Sequence, residues 1–275
     1  MSRSYYYLVS GLPNLALDET KNPPDYRQFV TDLATHMAPE DAELVRFIRY
    51  PYDNHNLANI LLESRTGFDE RGNFTQEELA EEAKSPERLP AYMVAFLDAR
   101  KEGKEPHPDH TIRDQLTWLF LEQACASSSE FIRDWFTFDT DLRNVLAAVN
   151  MRRQAEKHGG DYRAALEGVL VCRNEVTEQL MRSSAPDFAL GGMLPWIERV
   201  LSLPVDNLVE RERGIDDLRW DTLNGLTTFS YFETEVLLAY CIKLAMVQRW
   251  IGLDPDEGKK RLDRLVSEMR TGVNT

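Results

Sequence analysis

The sequence predicts an all-α protein, on three observations. Apolar residues recur at three- and four-residue intervals, as in Leu142, Val145, Leu146 and Val149, the spacing that lines one face of a buried helix. Helix-start chemistry precedes such runs, as in the capping box Thr75-Gln76-Glu77-Glu78, where hydroxyl and carboxylate reciprocally satisfy free N–H groups. Period-two alternation bounded by turn residues, the mark of half-buried strands, is missing.

Taken in order, a helix is expected over 25–36, and Pro39-Glu40-Asp41 opens a second over 40–50, since Pro presets φ and acids suit the N-terminal dipole. The stripe Leu57, Ile60 and Leu61 marks 54–64, and the capping box opens 75–84. Further helices are expected over 89–102, 110–127, 129–136, 140–157, 161–170, 174–183, 193–202 and 205–222. Leu237, Tyr240, Leu244, Val247 and Ile251 mark 231–251, and Asp254-Pro255-Asp256-Glu257 opens a closing helix over 255–270. Tyr5–Val9 reads as an extended piece or a further helix start. The polar linker Gly103–Pro108 and the segment Ser183–Gly192 break the pattern, with Pro51 and Gly67 punctuating the first third.

Composition narrows the function. The 275 residues carry 32 Lys+Arg against 46 Asp+Glu, a net charge of −14, with 43% hydrophobic residues. That is too apolar for a disordered chain. It is also too acidic for nucleic acid or an anionic membrane surface as main partner, both of which are held through Lys and Arg. Cys125, Cys172 and Cys241 are far apart and odd in number; they read as core thiols of a reducing compartment. The apolar run Tyr5–Val9 is too short for a secretory signal, and Val236–Val247 is interrupted by Lys243, well short of the roughly 20 apolar residues of a membrane span. A cytoplasmic chain without direct membrane insertion is expected.

A loose internal recurrence organises the chain. Tyr52-Asp53-Asn54-His55-Asn56-Leu57 runs from an aromatic–Asp pair into an apolar stripe, then a Gly-containing loop and the helix at Thr75. Phe138-Asp139-Thr140-Asp141-Leu142-Arg143-Asn144 does the same, followed by His158-Gly159-Gly160 and a helix at Asp161. Glu235–Ile251 with the closing helix makes a third copy. Three helical units follow, 1–104, 105–186 and 187–275.

Three stretches carry a family resemblance. Tyr5-Tyr6-Tyr7-Leu8-Val9-Ser10-Gly11-Leu12-Pro13 resembles the opening of small bacterial proteins encoded beside the components of a V-type ATPase. Asp141-Leu142-Arg143-Asn144-Val145-Leu146, continuing to Arg152, resembles a helix of the C-subunit family of V/A-type ATPases, whose eukaryotic members are the d-subunits. Tyr240, Lys243, Arg249 and Ile251 resemble that family's C-terminal helix, with Met246 and Gln248 where polar or acidic residues are usual. The resemblance implies a pseudo-threefold, funnel-like arrangement of the three units. It implies a non-catalytic central-rotor component, peripheral to the inner membrane, that seats the central stalk on the proteolipid ring and transmits torque. A helical adaptor or assembly factor for the same ATPase, or a helical enzyme, are the alternatives.

Residue chemistry points the same way. His107-Pro108-Asp109-His110 lacks the partners of a zinc site, Gly191-Gly192 lacks the Lys and Ser/Thr of a phosphate loop, and Ser127-Ser128-Ser129 has no nucleophile elbow. No catalytic, cofactor or metal residue is assigned. Asp53, Asn56, Asp141 and Asn144 read as structural groups at helix starts, satisfying free N–H groups. Lys243 and Arg249 lie six apart on an apolar helix and therefore on different faces. Each needs a carboxylate or must reach a polar surface or an interface, with Glu233 or Glu235 a candidate partner for one of them. Aromatic anchors for a stalk are sought in Trp118–Phe120, Trp135–Phe138, Trp196 and Phe229–Phe232, exposure separating an anchor from a core residue.

Overall fold

Apolar spacing and capping residues become helices in the computed structural model, which describes residues 3–17, 23–64 and 66–252. Among the described residues there are thirteen helices and no strand. They are α1 (Tyr6–Ser10), α2 (Tyr26–His36), α3 (Pro39–Phe47), α4 (Tyr50–Leu61), α5 (Gln76–Glu82), α6 (Ala91–Lys101) and α7 (Ile112–Cys125). There follow α8 (Glu130–His158), α9 (Tyr162–Glu167), α10 (Glu175–Arg182), α11 (Ile197–Leu201), α12 (Leu208–Leu226) and α13 (Thr234–Gly252). Side chains cap most of the starts: Asp25, Thr75, Thr111, Ser129, Asp161, Asn174 and Asn207 each accept from a backbone N–H of the first turn. The expected closing helix over 255–270 lies outside the described residues.

The separate helices expected over 129–136 and 140–157 are one 29-residue helix, α8. Thr137-Phe138-Asp139 offers neither Gly nor Pro to stop it. The Asp139 carboxylate, which at a helix start would compete for backbone N–H groups, is taken instead by Arg143 and Arg219. At 1.5 Å per residue α8 is about 43 Å long.

That length matters because the buried apolar residues fall into two cores. The first gathers α2–α7, the opening half of α8 and α13, from Tyr26 to Trp135 and Phe136 and again from Leu223 to Met246. The second gathers the remainder of α8 with α9–α11 and the first half of α12, from Leu142 to Leu218. Phe138 packs against both. The stretch 187–275, expected as one unit, is thus shared: Phe188–Leu218 joins the second core and α13 joins the first, lying against α2 and α3.

Two polar fastenings complete the frame. The Tyr5 N–H donates to the Phe232 carbonyl at 2.5 Å. The Tyr5 hydroxyl donates to Asp41 at 2.5 Å and accepts from the Ala38 N–H at 3.1 Å, holding α1 between α3 and the α12–α13 turn. In the second core the Arg152 guanidinium lies over the Phe188 ring at 3.4 Å and donates to the carbonyls of Ala185 and Pro186 at 2.8 and 3.1 Å. It thereby secures a turn in which Phe188 and Ala189 have positive φ of 55° and 58°.

Continuity of α8 has a direct readout. Backbone amides of Phe138 to Asp141 should exchange with deuterium as slowly as those of Val145 and Ala148, as expected in a helix interior. Rapid exchange confined to residues 137–140 would mean two helices rather than one.

Candidate central cleft and its charge network

Asp53 and Asn56 sit on α4 three residues apart, both fully buried. Asp53 accepts from the Asn73 N–H at 2.7 Å, the Asn73 side-chain amide at 2.6 Å and the Phe74 N–H at 3.4 Å. Asn56 donates to the Asp69 carbonyl and accepts from the Asp69 N–H, each at 2.8 Å. The two side chains pin the loop that delivers Thr75 to its capping box. The same device recurs on α8. Asp141 accepts from the Asn174 side chain at 2.8 Å, while Asn144 donates to the Val171 carbonyl at 2.8 Å and accepts from the Val171 N–H at 3.2 Å. Here the pinned loop delivers Asn174, itself the cap of a second capping box, on α10.

The helix paired with α8 in this way is therefore α10, not the one beginning at Asp161, which is the short α9 inserted between them. Asp141 and Asn144 do not open their own helix either. They lie in the interior of α8 and, like Asp53 and Asn56, serve the start of a helix downstream. Burial raises Asp53 to about 6, against the hydrogen bonds from Asn73; burial raises Asp141 as well. The first pinned loop passes so close to α4 that a Cβ on Gly72 would lie 2.4 Å from the Asp53 carboxylate. Arg49 closes that loop from the other side, donating to the Arg71 carbonyl at 2.9 Å and to the Gly72 carbonyl.

The helices α4, α8 and α13 border one cleft of about 310 Å³, lined by Tyr52 of α4, Asp139 and Arg143 of α8, and Ala245 and Arg249 of α13, with Arg219 of α12. A ladder of charges crosses it. Asp139 accepts from Arg143 and from Arg219, both at 2.8 Å. Arg219 reaches Asp216 at 3.3 Å, and Asp216 also accepts from Arg249 and, at 2.7 Å, from the Trp250 indole. Burial pushes Asp139 upward, but Arg219 and Arg143 outweigh it and hold the carboxyl well below the usual range. Arg71, paired with Asp69 at 2.6 Å, lies over the Tyr52 ring at 4.4 Å and donates to the Ala245 carbonyl at 3.5 Å. The pinned loop ahead of α5 thus touches α13.

Lys243 and Arg249 both reach α12, because long side chains can bend their charged ends to a common neighbour. Arg249 pairs with Asp216 and with Glu212, the latter at 3.8 Å. Lys243 donates to the Asn224 side chain at 2.6 Å and lies 5.2 Å above the Trp220 ring; burial lowers its pKa. Neither Glu233 nor Glu235 is the partner. His107 and His110 pack on Trp118, with ring centroids 4.8 and 4.4 Å away. Among the described residues no group of three or more His, Cys, Asp or Glu is placed to hold a metal ion, and no helix is long and apolar enough to cross a membrane.

Of the aromatic candidates, Phe120, Trp135 and Phe136 are buried core, and Trp118, Phe138 and Trp196 are half-covered. Phe229 and Tyr231 are 89% and 71% exposed at the α12–α13 turn, where the tilted rings of Tyr6 and Phe232 lie 4.6 Å apart beside an exposed Tyr7. This aromatic face is separate from the residues lining the cleft. Cys125 and Cys172, expected to be separate core thiols, share one half-open cleft; their proximity had no signal at a separation of 47 in sequence.

Two substitutions test this geometry. Gly72→Ala should destabilise by about 1–3 kcal/mol through forced repacking against Asp53. Gly67→Ala, with nothing within 4 Å, should stay within about 0.5 kcal/mol of the parent. Equal effects in denaturant titrations would mean that the pin is not as close as described. Asp139→Asn should cost about 3 kcal/mol at pH 7, because it leaves Arg219 buried with one charge partner fewer. Since the folded-state value of Asp139 is depressed, the stability it confers is present above about pH 4 and is lost as pH falls below that. The gap between variant and parent should therefore narrow at about pH 2.5; a gap that does not change with pH would contradict the ladder.

No curated protein and no solved structure matches the chain. One family does match, over residues 1–273, so the chain belongs to the family described as Protein of unknown function (DUF2764).

Proposed function

We propose that this protein is a non-catalytic component of the central rotor of a V/A-type ATPase, seating the central stalk on the membrane proteolipid ring and transmitting torque. The observation that carries the reading is the meeting of α4, α8 and α13 at one cleft. Two of these helices are equipped with the same Asp-x-x-Asn pin, at Asp53 and Asn56 and at Asp141 and Asn144. Repeated helical units around a shared centre are what the likeness of Asp141–Arg152 and Tyr240–Ile251 to the C-subunit family of these ATPases implies. Supporting it further, the cleft is braced by buried ion pairs, as a part that carries load requires. An interface also needs exposed anchors within a polar rim, and Phe229 and Tyr231 supply them on a body of net charge −14.

Co-purification from the native cell is the test. The tagged full-length chain should recover the stalk and ring components of the V-type ATPase at low salt and lose part of them as salt rises, through screening of the acidic surface. Phe229→Ser with Tyr231→Ser should reduce that recovery about tenfold or more, as loss of interface anchors does, while leaving the melting temperature unchanged, since both side chains are exposed. Recovery of none of those components at low salt rejects the rotor reading. Recovery only with incompletely assembled ATPase makes the protein an assembly factor instead.

A further inference from the structure

Outside the central cleft, the end of α7 and the pinned loop ahead of α10 enclose a second cleft of about 500 Å³, lined by Glu122, Cys125, Thr140, Asp141, Cys172 and Asn174. Cys125, the last residue of α7, and Cys172, one residue beyond the pinned Val171, both line this cleft. Both are free and half-buried, so each has a solvent path. Cys172 holds a positive φ of 51°, a conformation unusual for a residue with a side chain. Thr140 lies 3.7 Å from the Cys125 sulfur.

The two thiols are not equivalent. The neighbouring Cys172 thiol and the Thr140 and Thr137 hydroxyls outweigh burial and lower Cys125, while Cys172 is raised by its neighbour and by burial. A thiolate is the reactive form of cysteine, so Cys125, whose sulfur has the Thr140 hydroxyl beside it to support a negative charge, is assigned as the nucleophile and Cys172 as the second thiol of the cleft. Cys241 provides the contrast within the same chain. It is fully buried in the first core and burial pushes it up to about 12.

We propose that Cys125 and Cys172 form a reversible oxidation site that a peroxide converts into an intramolecular disulfide. In the first step the Cys125 thiolate attacks one oxygen of hydrogen peroxide. The O–O bond breaks, the departing hydroxide takes a proton to become water, and Cys125 is left as a sulfenic acid. In the second step the Cys172 sulfur attacks the Cys125 sulfur, the S–O bond breaks and a second water leaves with the thiol proton. Two thiols lose two electrons to one peroxide, giving one disulfide and two waters. A dithiol reductant returns both thiols by exchange. The bond would tie the end of α7 to the loop that Asn144 and Asp141 already hold. This site is independent of the rotor reading and stands or falls separately from it.

The test treats the native full-length protein with hydrogen peroxide, blocks residual thiols with an alkylating agent, and maps peptides without reduction. The expected result is a peptide linking Cys125 to Cys172, loss of two of the three thiols, full recovery with dithiothreitol, and Cys241 alkylated only after denaturation. In Cys172→Ser the sulfenic acid on Cys125 has no resolving thiol and should persist, trapped by a dimedone probe. The parent map decides the question even if that variant does not fold. Three outcomes overturn the proposal: a sulfinic acid on Cys125 with Cys172 still free, disulfide-linked dimers in place of the internal bond, or no thiol loss under conditions that oxidise free cysteine.

Discussion

Two carboxylates, Asp139 and Asp216, are buried at the centre of this protein, at 6% and 1% exposure. An ionised carboxylate removed from water is tolerated only with cations and hydrogen bonds around it. Here those cations come from three helices: Arg143 from α8, Arg219 from α12 and Arg249 from α13. The arrangement of the helices is accordingly not free to vary. Displacing α12 parts Asp139 from Arg219 and Asp216 from Arg249 at once, and displacing α13 removes the outer cation of Asp216. Apolar burial drives the two cores together, but it is non-directional. The ladder supplies the direction, fixing which residues of α8, α12 and α13 stand opposite one another.

The Asp-x-x-Asn pins act at shorter range. In each, a helix that is already packed offers polar side chains to the backbone of a loop, and the loop ends in a capping box. Buried N–H and C=O groups that a loop would otherwise leave unsatisfied are matched at Asp69 and at Val171 by a single Asn amide with one donor and one acceptor used on the same residue. That reciprocal pairing copies the hydrogen bonding of a strand neighbour without a strand. It also explains why an Asn and not an Asp occupies the fourth position, since a carboxylate has no donor to give.

The helical class and most elements were readable from apolar period and caps, because those signals are local. Thr75 with Glu78 forms the capping box that its spacing announces, and α2 begins one residue after Asp25 as an N-cap dictates. What could not be read depended on distant partners. The break expected between 136 and 140 is absent, and the Asp139 carboxylate that lies there is taken by arginines, one of them eighty residues away. Asp53, Asn56, Asp141 and Asn144 were recognisable as hydrogen-bonding groups, but not which helix start they served. Lys243 and Arg249 demanded partners on grounds of desolvation, yet only packing shows that the partners lie on α12. Cys125 and Cys172 come together through a turn whose positive φ no local pattern specifies.

The position of α13 has a consequence for how the chain is made. Leu237, Leu238, Cys241 and Leu244 fill the same core as Tyr26, Val30 and Leu33, although most of the sequence separates them. Synthesis proceeds from the N-terminus, and contacts of such long range are the slowest to close. The part of α2 that packs on α13 must therefore wait until α13 has emerged from the ribosome before it is covered. During that interval the second core, whose members from Leu142 to Leu218 are contiguous in sequence, is free to consolidate around the far half of α8. The fold is closed by its last described helix returning to its first large one, so a nascent chain cut short before α13 leaves an open, adhesive surface rather than a smaller protein.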